Sequence, residues 1–428
     1  MSFREDLDRA AAWADDYLQR VGELPVGASV EPGEVRARLP ESAPEHGEPF
    51  EAVLRDLDEL ILPALTHWNH PRFFAWFANT GSEPGVLAEL LIAALNVNNM
   101  TWLASPGATE LEVTVMDWLG QLLGLPRAWH GHIEDSASTA TVAALAAART
   151  AKPGGVVYAS EQANFSVEKA ARLVGLEFRK VEVDDVFRMR TDVSFEGATA
   201  IVATVGTTGT TSVDPVPDLA RRAAEQGAWL HVDAAYAGSA AVCPELRWCL
   251  EGVDRADSIV VNPHKWLFTQ MDCSAFWTRR PEVLHEAFAL VPDYLAATQD
   301  AIDLKDFGPA LGRRFRALKL WTVLRWYGAE GLRGLIREHV RLAQLFAALV
   351  SAEAGWEVVA PHPFSTVCFR NVEGDNDEIA RAATATGELF VASSRLRGVP
   401  MIRLAIGNAK TSEEDIRRAW EVLRSCAA

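Results

Sequence analysis

Two short runs each carry a charge at the end of an apolar stretch: Asp233 in WLHVDAAYAGSA (229–240) and Lys265 in VVNPHKWLF (260–268). Burying either ion alone costs several kcal/mol or more, so two such groups in similar settings point to a shared duty. The chain has only seven lysines, and Lys265 is the one that sits among apolar residues just after a predicted interior strand. A desolvated lysine has a lowered pKa and condenses with an aldehyde to a Schiff base. Taken singly, Asp233 reads as a strand-end cap; paired with Lys265 it reads as the charge that completes a site.

The aldehyde that uses both groups is pyridoxal 5'-phosphate (PLP), whose ring draws electrons only while a carboxylate keeps its pyridine nitrogen protonated. Asp233 suits that role. The phosphate needs donors, and in GHIEDSASTATVAALAAART Ser136 and Ser138 stand at the start of an Ala-rich helix, where free backbone N–H groups bind anions. Asn262 adds a further side-chain donor. Structural duties compete elsewhere: serines at a helix start also act as caps, and His231 within an apolar strand reads as core. His130, His132 and Glu134 read as a loop before the serines rather than as metal ligands, and no metal is expected.

These residues need a scaffold. GGVVYAS, GLEFRKVEV, GATAIVATVG, GAWLHVDAA and ADSIVVNP alternate with Ala-rich helical stretches between about 81 and 328, the rhythm of a mainly parallel sheet with helices on both faces. One helix is well bounded, opening after Asp214 and Pro215 and stopping at Gly227. In such sheets ligands sit beyond the carboxyl ends of the strands. Residues 1–80 read as an N-terminal helical segment with too little apolar surface for a core of its own, and 329–428 as a small C-terminal α+β domain. With 49 % hydrophobic residues the chain is globular; its net charge of -17 and lack of a basic stripe argue against nucleic acid. No stretch reaches the ~18–20 apolar residues of a membrane span. Five cysteines without a CxxC pair suggest neither zinc nor a disulfide framework and fit a reducing cytoplasm.

The strings HVDAAYAGSA, NPHKWL, SASTATVAALAAART, ASPGATELEVTVMDWLG, ATVGTTGTTSVDP and LGRRFRALKLW together resemble the group II PLP-dependent decarboxylases, in the branch of the aromatic-L-amino-acid decarboxylases and their aldehyde-synthase variants. The likeness runs over almost the whole chain. It implies PLP fold type I, the aspartate aminotransferase-like α/β fold, with a mainly parallel seven-stranded sheet. It also implies a homodimer with shared active sites and the N-terminal segment laid over the partner. By resemblance, Lys265 matches the Schiff-base lysine, Asp233 the ring-nitrogen partner, and Ala235 a contact with one ring face. Ser136, Ala137, Ser138 and Asn262 match phosphate contacts, and Thr208 and His264 lie close to cofactor and substrate. Trp76, Phe77 and Asn79 match the substrate-pocket wall, and Arg403 is a candidate partner for the substrate carboxylate. Trp68 and Trp76 read equally well as dimer packing.

The expected reaction is decarboxylation of an L-amino acid: a carboxylate held perpendicular to the cofactor ring leaves as CO2, and a proton then returns to Cα. Transamination and β-elimination use the same cofactor, because orientation selects the bond that breaks. The chain departs from the family pattern in places. Asn164 stands where relatives carry a histidine stacked on the ring, and aligning IDLKDFGPALGRRFR with V-D-Y-K-D-W puts Leu304 at the place of a loop tyrosine that returns the proton. Loss of both would let O2 intercept the electron-rich carbon and give aldehyde, ammonia and peroxide. Asn98 and Met100 replace apolar and aromatic pocket residues, which loosens the expectation of an aromatic substrate. A non-catalytic scaffold is the rival class, and it would leave Asp233, Lys265 and the serines idle.

Overall fold

The computed structural model describes residues 2–77, 81–290 and 301–427. Seven strands form the central sheet: β1 (His130–Glu134), β2 (Val156–Ser160), β3 (Glu177–Val181), β4 (Ala198–Thr204), β5 (Trp229–Asp233), β6 (Ser258–Val261) and β7 (Ser274–Thr278). Their order is β1-β7-β6-β5-β4-β2-β3, and β7 alone runs against its neighbours. All residues of β2, β4, β5, β6 and β7 are buried, so these strands are continuous apolar runs rather than alternating ones. Along β4, Ala200 and Val202 pack on one side with helices Ala137–Ala151 and Phe165–Leu173. Ile201 and Ala203 pack on the other with helices Pro106–Leu123 and Val216–Gln226. The mainly parallel, doubly covered sheet read from the sequence is thus present.

The run HGHIE, expected as a loop, is β1, paired antiparallel with β7. Its residues do not alternate between apolar and polar, so no two-residue period announces it. His132 Nε2 lies 3.1 Å from Glu134 Oε1 and His130 stacks on Phe307 with centroids 4.2 Å apart, while His130 Nε2 and His132 Nδ1 have no hydrogen-bond partner among the described residues. Among the described residues no group of three or more His, Cys, Asp or Glu is placed to hold a metal.

A second, antiparallel sheet contains β8 (Trp356–Val358), β9 (Thr366–Asn371), β10 (Ala392–Leu396) and β11 (Val399–Ala405) in the order β10-β11-β9-β8, with its own core around Phe346, Phe369, Leu404 and Trp420. Helix Arg316–Ala352 runs from the first core to the second and is interrupted at Gly328, whose φ of 61° and ψ of 177° leave the helical region. At the amino end, helix Phe3–Arg20 is closed by a Ser2/Glu5 capping box and buries none of its own residues.

The loop after β4 depends on one glycine. Gly206 has φ 85°, and a Cβ there would lie 2.5 Å from Ala237 Cβ. Gly206→Ala is therefore expected to cost roughly 2–4 kcal/mol, combining left-handed strain with overpacking. A urea-denaturation midpoint indistinguishable from that of the parent would refute this.

Candidate active site

Every parallel strand but β3 contributes to the same edge. Ser136 follows β1, Asn164 follows β2, Thr208 follows β4, Asp233 and Ala235 lie at the end of β5, and Asn262, His264 and Lys265 follow β6. Five separated stretches of sequence thus meet at the carboxyl ends of strands that share one direction, where ligands bind in such sheets.

Asp233 is 5 % exposed, and its Oδ1 accepts the Ala235 N–H at 3.1 Å. Burial pushes its carboxyl above the usual carboxylate range, and the Lys265 ammonium pulls in the opposite direction. Enclosure by protein lowers the Lys265 pKa; Asp233 opposes the shift and Arg403 reinforces it. Burial alone does not single out this lysine. Lys305 and Lys319 are also buried, but each is neutralised by a carboxylate at 2.6 Å, Asp306 and Glu89 respectively. Lys265 instead shares a field with Asp233, which opposes the lowering of its pKa.

His264 Nδ1 accepts the Cys273 N–H at 3.0 Å, which in the neutral ring puts the proton on Nε2. Burial lowers its pKa to about 4, so it is a neutral imidazole at physiological pH. Asn262 is buried and accepts the Ser274 hydroxyl at 2.7 Å. Asn164 caps helix Phe165–Leu173 by accepting the Ser166 N–H at 3.0 Å, and its amide donates to Thr208 Oγ1 at 3.3 Å. The amide is thereby fixed across the gap between the β2 and β4 loops.

At the start of helix Ala137–Ala151, Ser136 caps the helix through Thr139, while Ala137 is half-buried and Ser138 exposed. The first-turn N–H groups of Ala137 and Ser138 stand beyond the helical ladder and suit an anion. This donor set, a lysine of lowered pKa and a buried carboxylate 32 positions apart in sequence fit an aldehyde cofactor that carries a basic ring nitrogen and a phosphate.

The substrate side is organised by Phe77. Lys265 Nζ lies 5.3 Å and Arg403 Cζ 5.0 Å from the centre of its ring. Arg403, on β11, is 4 % exposed; Nη1 reaches Trp76 O at 3.4 Å, whereas Nε and Nη2 have no hydrogen-bond partner among the described residues. A buried guanidinium with two such nitrogens is suited to receive an anion.

Other expected residues sit elsewhere in the chain. The Trp76 ring, half exposed, stacks on Trp68 at 5.3 Å and leans on Phe390, so it belongs to an aromatic cluster beside Phe77. Asn98 supports the fold, since its Oδ1 accepts the Arg313 N–H at 3.0 Å. Met100 O accepts the Lys305 N–H at 2.9 Å. Leu304 is fully buried in the short turn Leu304–Phe307 that these bonds fasten to residues 98–102. A residue packed there does not present its side chain as a mobile-loop donor does, so its being leucine carries little information about proton return. Asn79 lies outside the described residues. His231 is core, its Nδ1 bonded to Ser258 Oγ at 2.9 Å. Sequence reasoning passes over Tyr236, although it stands three residues after Asp233: its ring stacks on Phe77 at 3.9 Å and on Trp266 at 5.1 Å.

Residues 32–372 match the model for the pyridoxal-dependent decarboxylase conserved domain. A tyrosine decarboxylase of Oryza sativa subsp. japonica is 42 % identical over 96 % of this chain and 88 % of its own. Phenylacetaldehyde synthase of a Rosa hybrid cultivar is 38 % identical over 99 % and 94 %. Among solved structures, Oryza sativa TDC with PLP and tryptamine superposes with a TM-score of 0.95 at 35 % identity, covering 99 % of this chain and 97 % of that one.

Proposed function

We propose, for a chain that belongs to the pyridoxal-dependent decarboxylase family, an aromatic L-amino acid as substrate and a homodimer as the working form. The protein is a PLP-dependent amino-acid decarboxylase of fold type I. Bound PLP supplies the electron sink that lets the bond to the carboxylate break.

Around it, the chain's own residues take distinct parts in this proposal. Lys265 supplies the amine that holds the cofactor, and Asp233 the carboxylate that keeps the ring nitrogen protonated. Ala235 packs against the ring, while Ser136, Ala137, Ser138 and Asn262 hold the phosphate. Asn164 and Thr208, joined by their hydrogen bond, cover the ring from the β2 and β4 loops. Arg403 receives the substrate carboxylate, and the neutral His264 offers its Nε2–H near Lys265. The observation that carries the substrate reading is that the amine of Lys265 and the guanidinium of Arg403 lie 5.3 Å and 5.0 Å from the centre of one aromatic ring, Phe77. An amino acid whose amine takes the place of the Lys265 amine and whose carboxylate meets Arg403 lays its side chain along aromatic surface that includes Phe77 and the half-exposed Trp76. The relatives whose names specify tyrosine or tryptophan support an aromatic side chain. Product analysis on phenylalanine, tyrosine, tryptophan and aliphatic amino acids tests this; turnover confined to aliphatic or acidic substrates would refute it.

Asn164 favours a second reading of the same site. Its amide cannot titrate near neutral pH, so it cannot relay a proton to Cα as an imidazole does. In that case amino acid, O2 and water give aldehyde, CO2, ammonia and hydrogen peroxide. The rose relative and Rhodiola rosea 4-hydroxyphenylacetaldehyde synthase, 33 % identical with a TM-score of 0.92, are aldehyde synthases by name and support this reading. Asn164→His is predicted to shift product by about tenfold from aldehyde toward amine, read by chromatography in air together with peroxide release. Amine as the sole product of the parent enzyme would exclude the oxidative reading.

The homodimer is supported by exposed apolar surface. Helix Glu83–Leu95 leaves Leu87, Leu90, Leu91 and Leu95 47–57 % accessible, and Leu103 is 74 % exposed. Light scattering is expected to give twice the chain mass of 46.8 kDa, and Leu91→Lys is expected to weaken the association; a parent mass of one chain would overturn this.

A further inference from the structure

We infer that Tyr236 is a positioning residue that sets the spacing between Lys265 and Arg403, and so decides how the enzyme grips the α-carboxylate. The inference deepens the role proposed for Arg403 and rests on it.

Tyr236 is 4 % exposed and connects three parts of the chain. Its ring lies flat between two aromatic rings: Phe77 at 3.9 Å and 14°, and Trp266, the residue after Lys265, at 5.1 Å and 17°. Its hydroxyl crosses to the second sheet, where it lies 2.8 Å from Ser365 Oγ and 3.2 Å from Thr366 Oγ1, and accepts the Ser365 N–H at 3.2 Å. Thr366 opens β9, which pairs with β11 in a register that sets Cys368 opposite Arg403. One end of Tyr236 thus holds the ring over which both cations lie, and the other holds the strand neighbouring the one that carries Arg403.

This link opposes a real force. Arg403 depresses the Lys265 pKa, so the two cations repel at short range in a poorly solvated site. Both cations lie near the Phe77 ring, one face of which Tyr236 covers, and a single ring cannot fix their separation unless it is fixed itself. The stack on Tyr236 prevents it from tilting, and the three contacts of the hydroxyl prevent β9 and β11 from drifting away from the first sheet. A substrate amino acid must put its amine in the place of the Lys265 amine and its carboxylate at Arg403 together, so a drift of about 1 Å penalises ligands that use both groups and spares those that use one.

The test compares ligands rather than activity alone. Tyr236→Phe keeps the stack and removes the hydroxyl contacts; Ser365→Ala removes one contact from the other side. In the cofactor-free protein, binding of 3-phenylpropionate, a carboxylate without the amine, is measured by calorimetry for the parent, Tyr236→Phe and Arg403→Met. In the holoenzyme, KM and kcat for the amino acid are measured beside the binding of phenethylamine, which lacks the carboxylate. The expected result is a fivefold to tenfold weaker phenylpropionate affinity in Tyr236→Phe, about the loss of one or two hydrogen bonds. KM should rise by a similar factor with kcat within about twofold, phenethylamine and PLP affinity should be unchanged, and Ser365→Ala should show a smaller shift in the same direction. If Arg403→Met abolishes phenylpropionate binding while Tyr236→Phe leaves it unchanged, Tyr236 has no positioning role and Arg403 keeps its own. Equal losses for carboxylate, amine and PLP would make Tyr236 merely structural and overturn the inference. Phenylpropionate binding unaffected by Arg403→Met would overturn the carboxylate role and this inference with it.

Discussion

Lys265→Ala is expected to lower kcat by at least ~10³, roughly 4 kcal/mol of lost transition-state stabilisation, and to abolish the absorbance band that distinguishes covalently held from free PLP. The same substitution has an expected signature in the cofactor-free protein. Asp233 already titrates above the ordinary carboxylate range because it is buried, and the Lys265 ammonium is what restrains the shift. Removing that cation raises the carboxyl further. A carboxyl whose folded pKa exceeds its unfolded value of 3.8 binds more proton folded than unfolded in the window between the two, so stability falls as pH rises through it. The urea midpoint of the cofactor-free variant is therefore expected to decline further than that of the parent as pH rises above the unfolded pKa of 3.8. Lys265 acts in the opposite sense only on the alkaline side, below its ordinary 10.5, where its depressed folded pKa makes stability rise with pH. Parallel midpoint curves for parent and variant, measured as Cm at each pH, would show that the two residues do not share a field.

The cofactor side of this site is legible in the sequence because its chemistry is written at strand ends. Asp233 and Lys265 each close an apolar run; Asp233 alone reads as a strand-end cap, and it is the pair that points to a shared site. The parallel sheet is legible for the same reason: buried strands are continuous runs of Val, Ile and Ala with small-residue helices between them. Less accessible are features set by tertiary bonds. β1 has the sequence HGHIE and is a strand only because β7 pairs with it and Arg313 reaches the Ile133 carbonyl at 2.8 Å. Asn98 aligns with pocket residues, yet it is bonded to the Arg313 N–H, a partner 215 positions away that no local pattern reveals. Leu304 aligns with a loop tyrosine through one short motif, and the fold packs it as an apolar side chain in a fastened turn. Tyr236 is in plain view within HVDAAYAGSA, but its importance lies in contacts with residues 77, 266, 365 and 366, which only the assembled chain provides.

Arg403→Met is expected to separate stability from function in the direction opposite to most buried substitutions. In the cofactor-free chain the guanidinium is desolvated: Nε and Nη2 lack hydrogen-bond partners among the described residues, and burial lowers its pKa despite the favourable nearness of Cys368 and Tyr236. Its hydrogen bond to Trp76 O is long, 3.4 Å, and compensates little. Methionine has a similar reach, no polar atom to satisfy and a soft thioether that packs well against the Phe77 ring. Substitution should therefore raise the unfolding free energy of the cofactor-free protein by about 1–3 kcal/mol, as expected when an uncompensated buried polar group is replaced by an apolar one. The same change should raise KM for the amino acid by ~10², the scale of a lost charge-assisted carboxylate contact, while phenethylamine affinity stays within about twofold. A destabilised variant with an unchanged KM would mean that Arg403 serves the fold. A stabilised variant that no longer captures amino acids would mean that the chain tolerates a poorly compensated buried cation because the anion that completes it is the substrate.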